Sequence, residues 1–180
     1  MLPAIKGMID RRVLLNFRAD PAVARRLVPE PLEVVTRNGV AVVGVCLIRL
    51  EGLRPRGVPT TFGVRSENMA HRIAIRYPTD YGMRDGVFIW QRYSDQRLFT
   101  LLGGRLFPGV HRHAEFQVRE HGDVISIVVR TEDHEADVAC EVIEGRPWVN
   151  TETFGAIADF RAPSMRGALR GCDCRRLSGK

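Results

Sequence analysis

The sequence predicts an α+β domain rich in β-structure, in which a largely antiparallel sheet curls into a barrel or sandwich with a few short helices at one side. About eight segments are rich in β-branched and apolar residues, which is typical of strands. Short turn signals separate most of these segments. The regular alternation of strands and helices that marks a parallel sheet does not occur in the sequence.

A helix near the N-terminus has clear start and stop signals. The first strand is predicted over Asp10–Arg18. Asp20 is a suitable N-cap, and Pro21 fits the first helical position, because its missing N–H would have no intrahelical partner there. The prolines at positions 29 and 31 disfavour helical backbone before them, so a two-turn helix is predicted over Ala22–Val28.

A hairpin follows this helix. The dipeptide Asn38-Gly39 favours a type I′ turn, because both of its residues tolerate a positive φ. It joins a predicted strand over Leu32–Arg37 to a long apolar strand over Val40–Leu50, in which Gly44 suggests a bulge. A loop is predicted over Glu51–Thr61. Further strands are predicted over Phe62–Tyr77, Gly86–Tyr93, His111–Glu120, Asp123–Thr131 and Val138–Ile143.

Residues 86–117 contain several candidate ligand-binding side chains. After the strand that ends at Tyr93, Ser94 can cap a second short helix over Asp95–Leu102, which Gly103-Gly104 ends. Arg105 follows the glycines and precedes the next strand. We expect this stretch to form one wall of a pocket.

The net charge of +6 is concentrated near the C-terminus. Residues 161–180 contain six basic residues and one aspartate, which leaves +1 for residues 1–160. We therefore predict one domain over residues 1–160 and a basic, flexible tail over residues 161–180. A nearly neutral domain does not favour a basic groove, so no nucleic-acid partner is expected.

Neither a membrane partner nor export is expected. The longest apolar run, Val40–Ile48, has nine residues, whereas roughly 20 are needed to span a bilayer. The first ten residues lack the hydrophobic region of a signal peptide. We expect a cytoplasmic protein, and the sequence leaves open whether it forms a homo-oligomer.

The four cysteines do not form a metal-binding pattern. Cys46 and Cys140 lie within apolar strand segments, where cysteine behaves as a small buried hydrophobic residue. Cys172 and Cys174 form a single C-x-C pattern without a second pair nearby, whereas zinc sites usually need four ligands. No metal and no other cofactor is predicted.

Four pieces of the sequence occur in an order that resembles a known superfamily. They are the segment NFRADPAVARRLVPEPLEVV, the Asn-Gly hairpin, the strand from Glu67 to Arg72, and the segment GVFIW…GGRLFPGVHRHAEFQV. Over residues 8–143 they resemble the acetoacetate decarboxylase-like superfamily and, within it, the uncharacterised YqjF-like branch. The resemblance implies a cone-like, largely antiparallel β-barrel with flanking helices and an internal pocket.

The decarboxylase of that superfamily uses a buried lysine to form a Schiff base with a keto acid. The lysines of this chain are Lys6 and Lys180. Lys6 is predicted to precede the first strand, so no predicted barrel strand contains a lysine. Arginine cannot take the role, because it stays protonated and is a poor nucleophile. We therefore expect no Schiff-base chemistry.

Glu67, His71 and Arg72 are candidate site residues because they lie in one predicted strand. Glu67 and His71 are four residues apart, so an unbroken strand places both on one face. We predict that they are the catalytic residues, a carboxylate and a titratable imidazole. Arg72 would point to the other face unless a bulge intervenes, and it is a candidate anchor for an anionic substrate group. The alternative is an exposed ion pair at a sheet edge.

Arg105 and Trp90 are candidates for substrate binding. Arg105 lies between two glycines and an apolar run, which predicts burial and therefore a carboxylate partner. That partner could belong to a ligand, to Glu67 or to Glu115. Trp90, like Tyr93, could stack on a ligand, although packing in the core is the more common role.

His111, His113 and Glu115 share one face of a predicted strand at a spacing of two residues. Such a trio can bind a metal when another strand supplies a further ligand, but side chains in this pattern are usually solvated. We therefore predict no metal site there and keep His113 as a candidate substrate-binding residue.

Three hypotheses for function follow. In the first, the barrel binds a small organic acid or carbonyl compound, with an arginine holding an anionic group and without Schiff-base chemistry. In the second, the chain is a lyase or isomerase in which Glu67 or His71 acts as general acid or base on an enolisable substrate. In the third, it is a protein-interaction module that uses the basic tail. The sequence lacks a glycine-rich phosphate loop and a nucleophile elbow, which disfavours a nucleophilic hydrolase.

Overall fold

The computed structural model describes residues 5–97, residues 110–143 and the backbone of residues 171–175. These residues form ten strands, one α-helix and one short 3-10 helix. In chain order the elements are β1 (Ile5–Ala19), α1 (Pro21–Leu27), β2 (Glu33–Val34), β3 (Thr36–Arg37), β4 (Val40–Pro55), the 3-10 helix (Thr60–Phe62), β5 (Val64–Thr79), β6 (Gly82–Ser94), β7 (Val110–His121), β8 (Val124–Thr131), β9 (Val138–Ile143) and β10 (Gly171–Arg175).

All ten strands belong to one sheet. Eight of them follow the order β1-β4-β5-β6-β7-β8-β9-β10, while β2 pairs with β5 and β3 with β4. Neighbouring strands are antiparallel except β6 and β7, which are parallel. Within the described ranges, β1 and β10 end the path and do not pair with each other, so the sheet is open. The predicted β-rich, largely antiparallel fold is confirmed, in a curled rather than a closed form.

The predicted start of the helix and the predicted Asn-Gly turn are confirmed. The Asp20 carboxylate accepts a hydrogen bond of 2.7 Å from the backbone N–H of Ala22, and Pro21 is the first residue of α1. Asn38 and Gly39 have φ values of 50° and 78°, as a type I′ turn requires. The predicted strand before this turn is shorter than expected, because it forms only the two-residue strands β2 and β3.

Two predictions about β1 and β4 are wrong, and the reasons differ. The two strands remain paired beyond Leu50, so Lys6 lies within β1 opposite Arg54 and does not precede the first strand. The Lys6 side chain is exposed. The bulge is not at Gly44, where pairing is regular; the register shifts between Leu50 and Leu53, at a Gly52 with a φ of 62°.

Part of the predicted organisation lies outside the described residues. This applies to most of the second predicted helix, to Gly103-Gly104 and to Arg105. The division between a domain over residues 1–160 and a tail over residues 161–180 stays a prediction. Within that tail, Gly171–Arg175 pairs with β9 as a strand that the sequence analysis did not predict. No helix of the described segments has both the length and the apolar character needed to cross a membrane.

The main core lies on one side of the sheet, which we call the inner face. There, alternate residues of β1, β4, β5 and β6 contact residues of β7, β8 and β9, so the sheet is folded over on itself. Burial of these apolar side chains is the main driving force for the curled shape. The buried members are Val13, Leu15, Val45, Leu47, Met69, Tyr93, Ala114, Ile125, Ile127, Val129, Cys140 and Val142.

A second, smaller core cluster lies where α1 packs on the sheet. Ala24 and Val28 of the helix contact Ala41, Ile73 and Ile75 of β4 and β5. Ile73 and Ile75 continue the alternation that places Met69 on the inner face. Helix α1 therefore covers one end of the inner face.

Ion pairs lie toward the other end of the inner face. We call Glu67, Arg11, Arg49 and Glu120 the Glu67 network. Arg11 and Arg49 donate to the two carboxylate oxygens of Glu67 at 2.8 Å and 2.6 Å. Arg49 also contacts Glu120 at 2.7 Å, and Arg11 forms an ion pair with the same carboxylate. Because Glu120 is on β7, which is not a neighbour of β1, β4 or β5, the network joins the two walls of the curled sheet.

We expect Glu67→Gln to lower the free energy of unfolding by about 3 kcal/mol or more, because it removes the shared counter-charge of two largely buried arginines. At this chain length the melting temperature should fall by about 6–12 °C. Thermal and urea unfolding of the wild type and the variant measure the change.

Asp85→Asn is the matched control for that experiment. Asp85 accepts from Arg76 at 3.1 Å, and both side chains are more than half exposed. Removing this surface pair should cost at most about 1 kcal/mol. Equal losses of stability in the two variants would contradict a special role of the Glu67 network.

Candidate functional site

The candidate site lies around His71 in the middle of the inner face. His71 is on β5 between Met69 and Ile73, the residues that share its face. Its ring contacts Trp90 edge-on, with 5.3 Å between ring centroids and an interplanar angle of 73°. The ring of Tyr93 lies 5.7 Å away in a tilted arrangement. The imidazole is therefore bordered by two aromatic rings, both from β6.

A bulge in β6 makes this arrangement possible. Residues 90 and 93 are three apart, so in a regular strand their side chains would point to opposite faces. Between β5 and β6, His71 pairs with Gln91 but Arg72 pairs with Ile89, which leaves Trp90 as the extra residue. Such an insertion re-aims side chains, and here both rings contact His71.

The imidazole of His71 is desolvated. Burial lowers its pKa, so the ring is neutral at pH 7. Its Nε2 atom is buried and has no hydrogen-bond partner within the described part of the chain. Burial, followed by the charge of Asp133, raises the pKa of Tyr93, so that phenol stays protonated. The site can therefore offer neutral donors and acceptors to a small polar ligand.

An open cleft of about 800 Å³ lies beside this site. Tyr93 belongs to both, because it lines the cleft and contacts His71. The other lining side chains are charged or titratable, with ion pairs between Arg112 and Asp133 at 2.6 Å and between His113 and Glu132 at 3.8 Å. Its lining residues are Tyr93, Arg97, His111, Arg112, His113, Glu132 and Asp133.

Glu67 shares the inner face with His71 but does not reach it. Four residues of extended strand separate their Cα atoms by about 13 Å, and the buried Met69 lies between them. Both carboxylate oxygens of Glu67 are bound by the guanidinium groups of Arg11 and Arg49. The two candidate catalytic residues therefore do not form an acid–base pair, and their catalytic roles stay predictions.

Arg72 points to the face opposite His71, which we call the outer face. The bulge that could have changed its direction is in β6, so β5 keeps its regular alternation. One guanidinium nitrogen of Arg72 lies 3.4 Å from Oδ1 of Asn16. Burial, and less strongly the charge of Arg12, lower the pKa of Arg72. Arg72 therefore cannot bind the same ligand as His71 on the inner face, and its predicted role in substrate binding could apply only to the outer face.

His113 lies at the cleft and not beside His71. It alternates with Ala114, which is a core residue, so His113 points away from the main core together with His111 and Glu115. Among the described residues, no group of three histidine, cysteine, aspartate or glutamate side chains is arranged to hold a metal ion. Arg105 lies outside the described residues, so its predicted role stays untested.

Sequence analysis missed the two partners of Glu67. Arg49 was available as a signal, because it is a charged residue within the apolar segment Val40–Leu50. Arg11 lies in an exposed-looking run of charged residues and gave no such signal. For Tyr93 the sequence predicts only packing or stacking, as for Trp90, and not its contact with His71.

Comparisons with known proteins agree with this fold. The chain is 30% identical over 122 residues to the uncharacterized protein YqjF of Bacillus subtilis, a match that covers 67% of this chain and 49% of that protein. Among solved structures, acetoacetate decarboxylase from Legionella pneumophila superposes with a TM-score of 0.61 at 18% identity, covering 83% of this chain and 53% of that one. The chain thus spans about half the length of these two relatives.

A third similar structure is the enduracididine biosynthesis enzyme MppR complexed with pyruvate. It superposes with a TM-score of 0.60 at 15% identity and covers 81% of this chain and 59% of its own. At such identities the superpositions show a shared fold, and they confirm the predicted resemblance to acetoacetate decarboxylase-like proteins. A family model for uncharacterized conserved proteins matches residues 8–161. Because this match covers most of the sequence, the chain belongs to the DUF2071 family.

Proposed function

We propose that the chain binds a small carbonyl compound or organic acid on the inner face, against His71. The observation that carries this proposal is the buried Nε2 atom of His71, which lies beside two aromatic rings without a hydrogen-bond partner in the described residues. An unsatisfied buried polar atom costs free energy. A ligand that hydrogen-bonds to Nε2 would remove that cost.

The neutral state of His71 favours a neutral polar group at this position. A neutral imidazole nitrogen donates to a carbonyl oxygen in one tautomer and accepts from a hydroxyl in the other. The rings of Trp90 and Tyr93 supply flat apolar surface for the carbon atoms of such a ligand. The cleft lined by Tyr93 is the proposed entrance.

The structurally similar MppR gives the proposal a specific first ligand. That protein was solved with pyruvate, a small keto acid. By analogy of fold alone, pyruvate is the first compound to test on this chain. In the proposed complex, the keto oxygen of pyruvate would accept a hydrogen bond from Nε2 of His71.

The proposed binding does not involve a Schiff base. A lysine forms an imine only when part of its amine population is neutral, which requires a desolvated or cation-rich site. Lys6 is exposed and lies in β1 opposite Arg54, far along the strand from the part of β1 that reaches the main core at Val13.

A second candidate function is catalysis of proton transfer by His71. This is favoured by the lowered pKa of His71, because a neutral imidazole with a free nitrogen is competent as a general base near pH 7. The substrate would be an enolisable carbonyl compound, from whose α-carbon His71 removes a proton. Glu67 is less suited to this role, since both of its oxygens are bound by arginines.

The burial of His71 should make stability depend on pH. Its pKa is lower in the folded than in the unfolded chain, where it is about 6.5. Below pH 6.5 the unfolded chain therefore takes up a proton that the folded chain does not, and the free energy of unfolding falls by up to about 1.4 kcal/mol per pH unit. His71→Asn should reduce this loss between pH 6.5 and 5 in urea unfolding experiments. His121→Asn, which changes an exposed histidine, is the control, and equal pH dependence in both variants would argue against a desolvated His71.

Ligand binding can be measured through the fluorescence of Trp90. The sequence contains two tryptophans, so Trp148→Phe leaves Trp90 as the reporter. In this background pyruvate should cause a saturable change in emission. A further His71→Phe change, which keeps a ring but removes the nitrogen, should weaken binding at least about tenfold through loss of the hydrogen bond.

Three further measurements define that experiment. His121→Phe should leave binding unchanged, and propionate should bind more weakly than pyruvate because it lacks the keto oxygen. Treatment with borohydride in the presence of pyruvate should leave the intact mass unaltered. Undiminished pyruvate binding by the His71→Phe variant would refute the proposed site, while a reduced adduct that disappears in Lys6→Arg would show imine chemistry.

The second candidate function predicts exchange of substrate protons with solvent. In D₂O, NMR should detect loss of the methyl signal of pyruvate faster with the wild type than with His71→Asn, because only the former has an imidazole base. His121→Asn is the control, since it changes an exposed histidine that does not line the cleft. Binding of pyruvate without enzyme-dependent exchange would leave a binding protein and exclude this catalytic role.

A further inference from the structure

The outer face of the sheet contains a group of arginines around a floor of small residues. Gly44, Cys46 and Ala70 are neighbours on β4 and β5 and form this floor. The rim includes four longer polar side chains from β1, β5 and β6, and the apolar Leu14 and Ile89 lie in the same two rows of paired residues. We call this feature the basic depression, with the rim residues Arg12, Asn16, Arg72 and Arg92.

Strand register brings these residues together. Asn16, Gly44 and Arg72 form one row across β1, β4 and β5. Cys46, Ala70 and Arg92 form the adjacent row across β4, β5 and β6. Arg12 reaches into the same area, since its Nε atom lies 3.4 Å from Sγ of Cys46. Three guanidinium groups therefore lie around the three small residues of the floor, Gly44, Cys46 and Ala70.

Gly44 makes the contact between β1 and β5 possible. A Cβ atom at this position would lie 2.8 Å from Oδ1 of Asn16 and 2.4 Å from the backbone oxygen of Leu15. Without it, the Asn16 amide extends over β4 and its oxygen comes within 3.4 Å of Arg72. The glycine therefore keeps the floor open, instead of forming the bulge that its sequence context suggested.

The positive charge of Arg72 is not balanced by a described carboxylate. Among the described residues its Nε atom is buried without a hydrogen-bond partner, and Asn16, the side chain that it contacts, is neutral. Burial is the largest cause that lowers the pKa of both Arg72 and Arg92. On this face of β1, β4, β5 and β6, the described acidic residue Asp85 is already paired with Arg76.

A purely structural role explains this arrangement less well. Arginine stems often cover apolar surface while the charged head stays in water. That role does not require the Nε atom of Arg72 to be buried, nor a second and a third guanidinium beside it. A buried N–H without a partner costs free energy, and a bound acceptor would offset that cost.

We propose that the basic depression binds a small phosphate group, either inorganic phosphate or the phosphate of a small metabolite. Guanidinium groups bind tetrahedral oxyanions through paired N–H donors, and several of them suit a dianion better than a single carboxylate. Arg72 would donate through Nε and a terminal nitrogen. Arg12 and Arg92 would add charge from either side.

This site is independent of the function proposed for the inner face. His71 and Arg72 are adjacent in sequence, but they project from opposite faces of β5. Loss of pyruvate binding in a His71 variant with intact phosphate binding would thus concern the inner face alone. Loss of phosphate binding in an Arg72 variant with intact pyruvate binding would concern the basic depression alone.

Isothermal titration of the full chain in an oxyanion-free buffer of constant ionic strength tests the proposal. Inorganic phosphate should bind saturably to the wild type. Arg72→Gln should weaken this binding at least about tenfold, because it removes a charge-assisted pair of donors. Arg76→Gln is the matched control, since Arg76 is on the same strand and face but is exposed and paired with Asp85. Glycerol phosphate and acetate are titrated into the wild type in separate experiments.

Asn16→Asp is a second variant that does not depend on removing a buried side chain. It is nearly isosteric and places a carboxylate about where Oδ1 now lies, 3.4 Å from Arg72. It should raise the melting temperature in the absence of phosphate and abolish phosphate binding, because the chain then supplies its own anion. Arg72→Lys should bind with intermediate affinity, since it keeps the charge without the fork.

Each outcome decides the proposal. Weaker phosphate binding in both Arg72→Gln and Asn16→Asp, with Arg76→Gln like the wild type, supports it. Tighter binding of glycerol phosphate than of inorganic phosphate identifies a phosphorylated metabolite as the ligand class, and the reverse order identifies the free ion. Absence of saturable binding to the wild type, equal binding by Asn16→Asp, or acetate binding as tight as phosphate binding overturns it.

Discussion

One ion-pair arrangement, the Glu67 network, joins the two walls of the curled sheet that the apolar core brings together. Two arginines from β1 and β4 bind both oxygens of Glu67 on β5, and the same two arginines reach Glu120 on β7. Two positive and two negative charges balance within this group. Because buried charges without partners are costly, the two largely buried arginines gain further stabilisation when the wall that contains Glu120 comes within contact distance. The network therefore constrains how tightly the sheet curls.

Along β5 the inner face passes from charged to apolar side chains. Glu67 belongs to the charged group, Met69 to the main core, and Ile73 and Ile75 to the cluster under α1. His71 lies between the two apolar clusters. A polar ring in such a position lowers the stability of the fold through its desolvation unless it is hydrogen-bonded. The bulge at Trp90 does not relieve this cost, because it supplies a second aromatic ring and no acceptor.

How far the sequence predicts this structure depends on how local each signal is. The N-cap at Asp20 and the turn at Asn38-Gly39 involve residues next to each other, and both were predicted correctly. The partners of Glu67 are 18 and 56 residues away, so no local pattern identifies them. The length of β1 and the bulge at Trp90 depend on register, which is a property of paired strands.

Two glycines of β4 also show that sequence context alone does not identify where a strand bulges. Gly44 and Gly52 both lie in β4, and sequence context favoured Gly44 as the bulge. The difference lies in what each glycine contacts: a Cβ at Gly44 would meet the neighbouring strand, whereas Gly52 adopts a positive φ that other residues avoid. One glycine is required by close packing and the other by backbone conformation, and only the tertiary structure distinguishes them.

The regularity of β5 also decides which charges can meet. If the bulge lay in β5 between Glu67 and Arg72, both side chains would share a face and could pair with each other. Because the bulge lies in β6, Arg72 stays on the outer face, and Glu67 is neutralised from across the inner face by Arg11 and Arg49. The same register that satisfies the carboxylate thus separates it from the nearby arginine. Arg72 is left beside Arg12 and the neutral Asn16, and no described carboxylate forms an ion pair with it.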